Sequence, residues 1–240
     1  MGNAAERYTG GAYAEANRTW HDEDSEFKGK WALTFLREQG LTPPDSVCDI
    51  GCGAGGVLAT LKQAWPNARV VGYDISQDAV RLARELHQDV DVRLGDATES
   101  GEHFDLVLLL DVFEHVEDYL GFLRRVAPLG ALMVFHVPLD MNALLVARER
   151  TMMASRSAYG HLHYFSKATA LATLEDAGYT VLATKYTPGS MELPNRSWRM
   201  KVAKWPRRLG FRISPDATAR ILGGYSLLVL ARPTQAEGCG

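Results

Sequence analysis

Residues 47–61 read V-C-D-I-G-C-G-A-G-G-V-L-A-T-L and constrain the fold more tightly than any other stretch of the chain. A short apolar run carries an acid, Asp49. Glycines follow at Gly51, Gly53, Gly55 and Gly56, and an apolar helical pattern then begins. This order predicts a strand that turns tightly into a helix, with the backbone bared so that a ligand can lie against it.

The glycines also spell Gly51-x-Gly53-x-x-Gly56, the spacing of a dinucleotide fingerprint. In such a site a helix N-terminus faces a pyrophosphate and helps to hold its negative charge. A carboxylate at Asp49, at the mouth of the same turn, opposes an anion and suits a ligand bearing an ammonium and a sulfonium. No Lys-Ser/Thr follows the glycines, which argues against a nucleoside-triphosphate loop.

Apolar runs predict six further strands, at residues 69–73, 90–94, 104–110, 131–137, 180–186 and 226–231. Helical patterns fall at 27–36, 57–65, 77–87, 111–126, 143–150 and 166–177. The alternation predicts an α/β fold, a Rossmann-like doubly wound, mainly parallel, seven-stranded sheet. Ligands of such sheets bind beyond the C-terminal strand ends. Besides Asp49, Asp74, Asp96 and Asp111 fall at strand ends. Asp74 lies about 20 residues past the glycines, where a carboxylate can accept from both ribose hydroxyls. One such acid is readily a helix cap; four at successive strand ends are hard to explain by capping.

On these residues the chain resembles the class I S-adenosylmethionine-dependent methyltransferases. Asp49, Gly51, Gly53 and Gly55 match their first motif. Asp111-Val112-Phe113-Glu114-His115-Val116 and the G-H-L-H-Y-F-S run at 160–166 resemble the small-molecule, ubiquinone-biosynthesis-like members of the type 11/23 group. The resemblance covers residues 26–185. It implies an antiparallel last strand and S-adenosylmethionine as cofactor, with S-adenosylhomocysteine as product. It also implies that Asp96 faces the adenine amino group, that Ile75 and Ala97 contact the adenosine, and that Asp111 and Val112 lie beneath the methionine part. Gly51, Cys52 and Gly53 belong to the cofactor turn, and Lys28 is a candidate to reach the cofactor carboxylate.

Methyl transfer from a sulfonium is an in-line displacement, in which proximity and alignment do most of the work. A base is needed when the attacking atom keeps a proton, and histidine suits that task near neutral pH. His115 is the first candidate, with a structural brace as its competing role. His161 and His163 flank a leucine, so in an extended segment both point the same way; they are candidates to face the acceptor or to anchor the loop. No metal site is expected, because this pair has no clear third ligand. His136, inside an apolar strand, reads as a core histidine.

The 240 residues, 46% apolar and 23% charged, fit one globular domain. Residues 1–45 read as an N-terminal flap and helix, 46–233 as the methyltransferase domain, and 234–240 as a tail. Residues 139–165 and 191–224 read as covers on the substrate side. The net charge of -3 gives no global pull toward nucleic acid, and no nucleic-acid partner is expected. The three cysteines, Cys48, Cys52 and Cys239, form no disulfide framework; a cytoplasmic setting is expected, with no signal peptide and no transmembrane segment. A small-molecule acceptor is favoured. Residues 196–212 interleave basic and aromatic side chains, and three readings stay open: a solvated cover, recognition of an anionic acceptor, and peripheral contact with an anionic membrane. The oligomeric state is not legible. An NAD-dependent oxidoreductase, a non-catalytic methyltransferase-like binding subunit and a nucleic-acid methylase are the competing functions.

Overall fold

The structure is a computed structural model that describes residues 22–188 and 198–234. Residues 1–21 of the expected flap, residues 189–197 (Arg196 among them) and 235–240 (with Cys239) lie outside the described residues.

In chain order the elements are α1 (Asp22–Glu38), β1 (Ser46–Ile50), α2 (Gly56–Ala64), β2 (Arg69–Asp74), α3 (Gln77–Leu86), β3 (Asp91–Leu94), β4 (Phe104–Leu110), α4 (Tyr119–Val126) and β5 (Gly130–Pro138). There follow α5 (Ala143–Val146), α6 (Glu149–Tyr159), α7 (Lys167–Asp176), β6 (Tyr179–Pro188), α8 (Trp198–Ile213), α9 (Pro215–Leu222) and β7 (Tyr225–Pro233). The strands form one sheet in the order β3-β2-β1-β4-β5-β7-β6. The first five pair in parallel, and β7 runs antiparallel to both β5 and β6.

β4 is nearly all apolar because it is covered on both faces. On one face Phe35 and Leu36 of α1, Leu58 and Leu61 of α2 and Val80 of α3 share a core with Leu106 and Leu108. On the other, Leu123 of α4, Leu174 of α7 and Ala219 of α9 pack with Val107, Leu109 and Phe135. Each large side chain so buried is worth about 1.5–3 kcal/mol against exposure. The order reverses between β1 and β4, and ligands of open sheets bind at such a switch point.

Two expectations change. Residues 111–126 are not one helix. Asp111 takes a left-handed conformation, with φ 59°, a short 3-10 turn covers Phe113–His115, and α4 starts only at Tyr119, capped by Asp118. The carbonyl of Glu114 accepts from the backbone N–H of Leu162 and His163, which holds this turn open against the later loop. His115 therefore closes a turn rather than beginning a helix. The helical pattern at 143–150 becomes two helices, α5 and α6. Neither buries a residue, so neither carries an apolar stripe for the sequence to reveal.

The crossing of α2 over the sheet depends on Gly72. It pairs with Asp49 in the β1–β2 register. A Cβ built there meets Leu58 Cδ1 at 2.4 Å and Cys52 Sγ at 2.7 Å. Gly72→Ala is expected to cost about 1–3 kcal/mol by overpacking and to lower the thermal midpoint by several degrees, read by circular dichroism. A midpoint equal to the parent's would contradict this packing.

Candidate functional site

The turn after β1 is built from left-handed glycines, at φ 73° for Gly51 and 53° for Gly53. Gly51 has a second constraint, since a Cβ there lies 2.8 Å from Val112. The turn thus places β1, β2 and the segment after β4 within reach of one ligand. A cavity of about 470 Å³ opens at these strand ends. Its lining includes Lys28, Asp49, Gly51, Cys52, Gly53, Asp74, Ile75, Asp96, Ala97, Asp111, Val112 and His115. The sequence-derived cofactor candidates are therefore brought together, and His115 with them. His161 and His163 are not in the lining.

The four acids stand in different environments. Asp49 is 2% exposed, and among the described residues no group donates to its carboxyl. Burial, and then the neighbouring Asp74 carboxylate, push its pKa up to about 8. Asp74 accepts from the Gly53 N–H at 2.9 Å and the Ser76 N–H at 2.8 Å. Burial raises its pKa too, offset in part by those backbone donors. Asp96 caps its own turn, accepting through Oδ1 from Thr98 N at 2.9 Å and Thr98 Oγ1 at 2.8 Å. The capping role weighed for these acids is thus realised at Asp96, at the rim of the cavity.

Asp111 sits in a relay of charge. Its Oδ2 lies 2.7 Å from Lys28 Nζ, and its Oδ1 accepts from His136 Nδ1 at 2.6 Å. The other nitrogen of His136 lies 2.8 Å from the buried Thr187 hydroxyl. Although burial works to raise it, His136 and Lys28 hold the Asp111 carboxyl far below the usual carboxylate range. Lys28 is thus committed to Asp111 while facing the cavity. His136 is buried, as expected of a core histidine, but its partners tie β5 to β6 and to the site.

A second cluster lies behind His115. Its ring meets that of His161 edge-on, with centroids 4.9 Å apart, and His161 Nδ1 donates to Asp140 Oδ2 at 2.8 Å. Burial, and then His161, lower the His115 pKa to about 4, so the ring is neutral at physiological pH. His163 turns to other neighbours. Its Nε2 donates to the Val116 carbonyl at 2.9 Å, and its ring lies 4.5 Å from that of Tyr119. The shared orientation expected for His161 and His163 gives way to two separate anchors.

Glu114 was quoted in the sequence motif but not singled out. Its side chain is fully buried, and neither carboxyl oxygen has a hydrogen-bond partner. Glu114, His115 and His161 each bring a ligand atom within 4.8 Å of the others, a grouping able to hold a metal ion. His163 is not part of this grouping; Glu114 and His115, from the turn after β4, join His161 instead. Burial, and then the Asp111 carboxylate, push the Glu114 pKa well above its ordinary value. Ser25, Asp118 and Arg125 also line the cavity; no motif marks them.

A glycine turn at the switch point of a doubly wound sheet, ringed by acids, defines a class I-type nucleoside-binding α/β domain. Residues 20–184 match the family described as methyltransferase domain, and the chain belongs to that family. It is similar to the ubiquinone biosynthesis O-methyltransferase of Hahella chejuensis, 34% identical over 132 residues, covering 48% of this chain and 55% of that protein. Similarity to the trans-aconitate 2-methyltransferase of Mycolicibacterium gilvum is 28% over 165 residues, covering 67% of this chain and 64% of the relative. The chain thus spans between half and two thirds of these relatives' lengths. The fold is shared with the magnesium protoporphyrin IX methyltransferase of Synechocystis PCC 6803 with bound SAH, at TM-score 0.57, 20% identity and 92% and 86% coverage of the two chains. A putative methyltransferase of Haloferax volcanii, solved in complex with the Trm112 methyltransferase activator, aligns at TM-score 0.62, 19% identity and 93% and 96% coverage.

The state of Glu114 gives a pH test. Its folded pKa stands above the unfolded value, so its stabilising protonated form is fully present below pH 4.5 and is lost as pH rises through the folded pKa. Stability of the parent should fall by up to about 1.4 kcal/mol per pH unit from this group over that window. Glu114→Gln, which keeps the shape of the neutral acid, should flatten that slope, so that its advantage over the parent grows as pH rises above 4.5 in urea denaturation. Parallel pH profiles for the two proteins would contradict a neutral Glu114.

Proposed function

We propose that the protein transfers a methyl group from S-adenosylmethionine to an oxygen, nitrogen or carbon atom of a small-molecule acceptor and releases S-adenosylhomocysteine. The observation that carries this reading is Asp49, a buried acid at the edge of the glycine turn that accepts no hydrogen bond among the described residues. A pyrophosphate there would only oppose the ionisation of Asp49. An ammonium would supply the cation that lets Asp49 ionise. Membership of the methyltransferase-domain family supports the same donor.

In this reading Asp49, Gly51, Cys52, Gly53 and Lys28 surround the methionine end, with Asp111 and Val112 beneath it. Lys28 reaches the cofactor carboxylate while remaining paired with Asp111. Asp74 takes the ribose hydroxyls on lone pairs not used by Gly53 and Ser76. Ile75, Asp96 and Ala97 border the adenine. When bound, the cofactor would supply a methyl group on a sulfonium, which an in-line nucleophile would take while the carbon–sulfur bond broke to leave a neutral thioether. Where the attacking atom carries a proton, His115 takes it. His115 is neutral and on the cavity wall, so its basic form is present at neutral pH. His161 orients it through the Asp140 pair, and His163 anchors the loop.

The relatives' names, an O-methyltransferase and a trans-aconitate methyltransferase, favour an acidic or phenolic acceptor. Arg125, in the cavity lining, offers such an acceptor a cation.

Calorimetry with S-adenosylhomocysteine tests the donor. The folded parent should bind it and ignore NADH. Asp74→Ala should lose on the order of 1–3 kcal/mol of that affinity as hydroxyl partners go unpaired. Absence of binding at millimolar ligand, or tight NADH binding instead, would sink the reading. Binding without turnover on any acceptor would point to a non-catalytic subunit.

The base is tested once an acceptor is found by screening phenols and polycarboxylates for S-adenosylhomocysteine release. His115→Ala should lower kcat on the order of 10²–10⁴-fold, with cofactor affinity kept. An unchanged kcat would reduce His115 to a brace.

A further inference from the structure

The geometry points to α8 as a docking surface for an anionic lipid bilayer, a function separate from the cavity and independent of the methyl-transfer reading. The helix presents two unlike sides. On the inner side Arg207 donates to the carbonyls of Leu222 and Gly223, Gly210 lies against Thr218, and Phe211 stacks on Tyr225 with ring centroids 4.6 Å apart. This side holds α8 onto α9 and the start of β7.

Trp205, Leu209 and Ile213, spaced by four, run along the opposite side. They are 77%, 63% and 79% exposed, which is unusual for three large apolar residues in one row. Arg208 and Arg212 form the adjoining shoulder, and both are exposed. The helix sequence W-R-M-K-V-A-K-W-P-R-R-L-G-F-R-I holds six basic residues and no acid, although the whole chain is net acidic. Asp216, at the start of α9, is engaged by Lys167 and Tyr186.

An apolar row beside a basic shoulder, with a tryptophan in the row, is the composition of a helix that lies in the lipid headgroup plane. The row enters the acyl boundary while the arginines meet lipid phosphates. Among the described residues no helix is long and apolar enough to cross a membrane, so α8 lies flat rather than spanning. A neutral protein groove would suit the apolar row alone; an anionic bilayer suits both the row and the basic shoulder.

The test is flotation of the full chain with vesicles of phosphatidylcholine alone or with about a third phosphatidylglycerol, at low and high salt. The parent should float with the anionic vesicles and not with the neutral ones, and high salt should release it. Replacing Trp205, Leu209 and Ile213 together by Ser should lower association at least ten-fold, with the circular dichroism melt unchanged because these side chains make no core. Arg208→Gln with Arg212→Gln should lose about five-fold per residue removed. Should the triple variant misfold, the emission of Trp205, isolated by subtraction of W205F, should shift to the blue on adding anionic vesicles. Failure of the parent to float, equal flotation of a folded triple variant, or self-association that the triple variant abolishes without any flotation would each overturn the proposal.

Discussion

Two buried carboxylates side by side, Asp49 and Asp74, are the constraint around which the rest of the site is arranged. Desolvation disfavours the charged form of each, and their proximity disfavours both being charged. The backbone settles part of this conflict by aiming the N–H groups of Gly53 and Ser76 at Asp74. Asp49 receives no such help and stays protonated. That asymmetry needs the close approach of β1, β2 and the glycine turn, and hence the absence of side chains at Gly51 and Gly72. The turn's glycines thus serve the charge of the site as much as its shape.

A third acid is handled in another way. Asp111, left-handed at the end of β4, is ionised by Lys28 from α1 and by His136 from β5, and Thr187 on β6 holds the far side of that imidazole. Four elements distant in sequence are joined through one carboxylate. This chain connects the cavity wall to the antiparallel end of the sheet, in whose core cluster Phe211 of α8 and Ala219 of α9 pack. Behind it, burial and then the Asp111 carboxylate raise the pKa of Glu114, against a weaker pull from its backbone hydrogen bond and Lys28. The site therefore combines one carboxylate held ionised by Lys28 and His136 with two, Asp49 and Glu114, whose pKa burial raises.

The parallel sheet and the acids at its edge were legible because they depend on local rules, while the antiparallel last strand came from the resemblance alone. β4 had to be apolar to be covered on both faces, and the turn after Asp49 needed glycines to reach left-handed conformations. What sequence did not reveal depended on contacts across the fold. The break at residues 111–119 follows from the pairing of the Glu114 carbonyl with residues 162 and 163. α6 buries nothing and so has no periodicity to read. His161 and His163 look equivalent in sequence, yet Asp140 and His115 claim one and Val116 and Tyr119 the other. Glu114 was visible as a letter in a motif, but its isolation is a property of the space around it.

The central claim, that Asp49 is a proton-bearing receptor for the ammonium of the proposed cofactor, is tested most directly by counting protons on binding. Calorimetry of S-adenosylhomocysteine at pH 7, in buffers of different ionisation enthalpy, should show the release of nearly one proton per ligand, because an acid with a pKa of about 8 is mostly protonated there. The release should shrink toward zero by pH 9 and disappear in Asp49→Asn. Binding at pH 7 without proton release, or with uptake, would contradict the account.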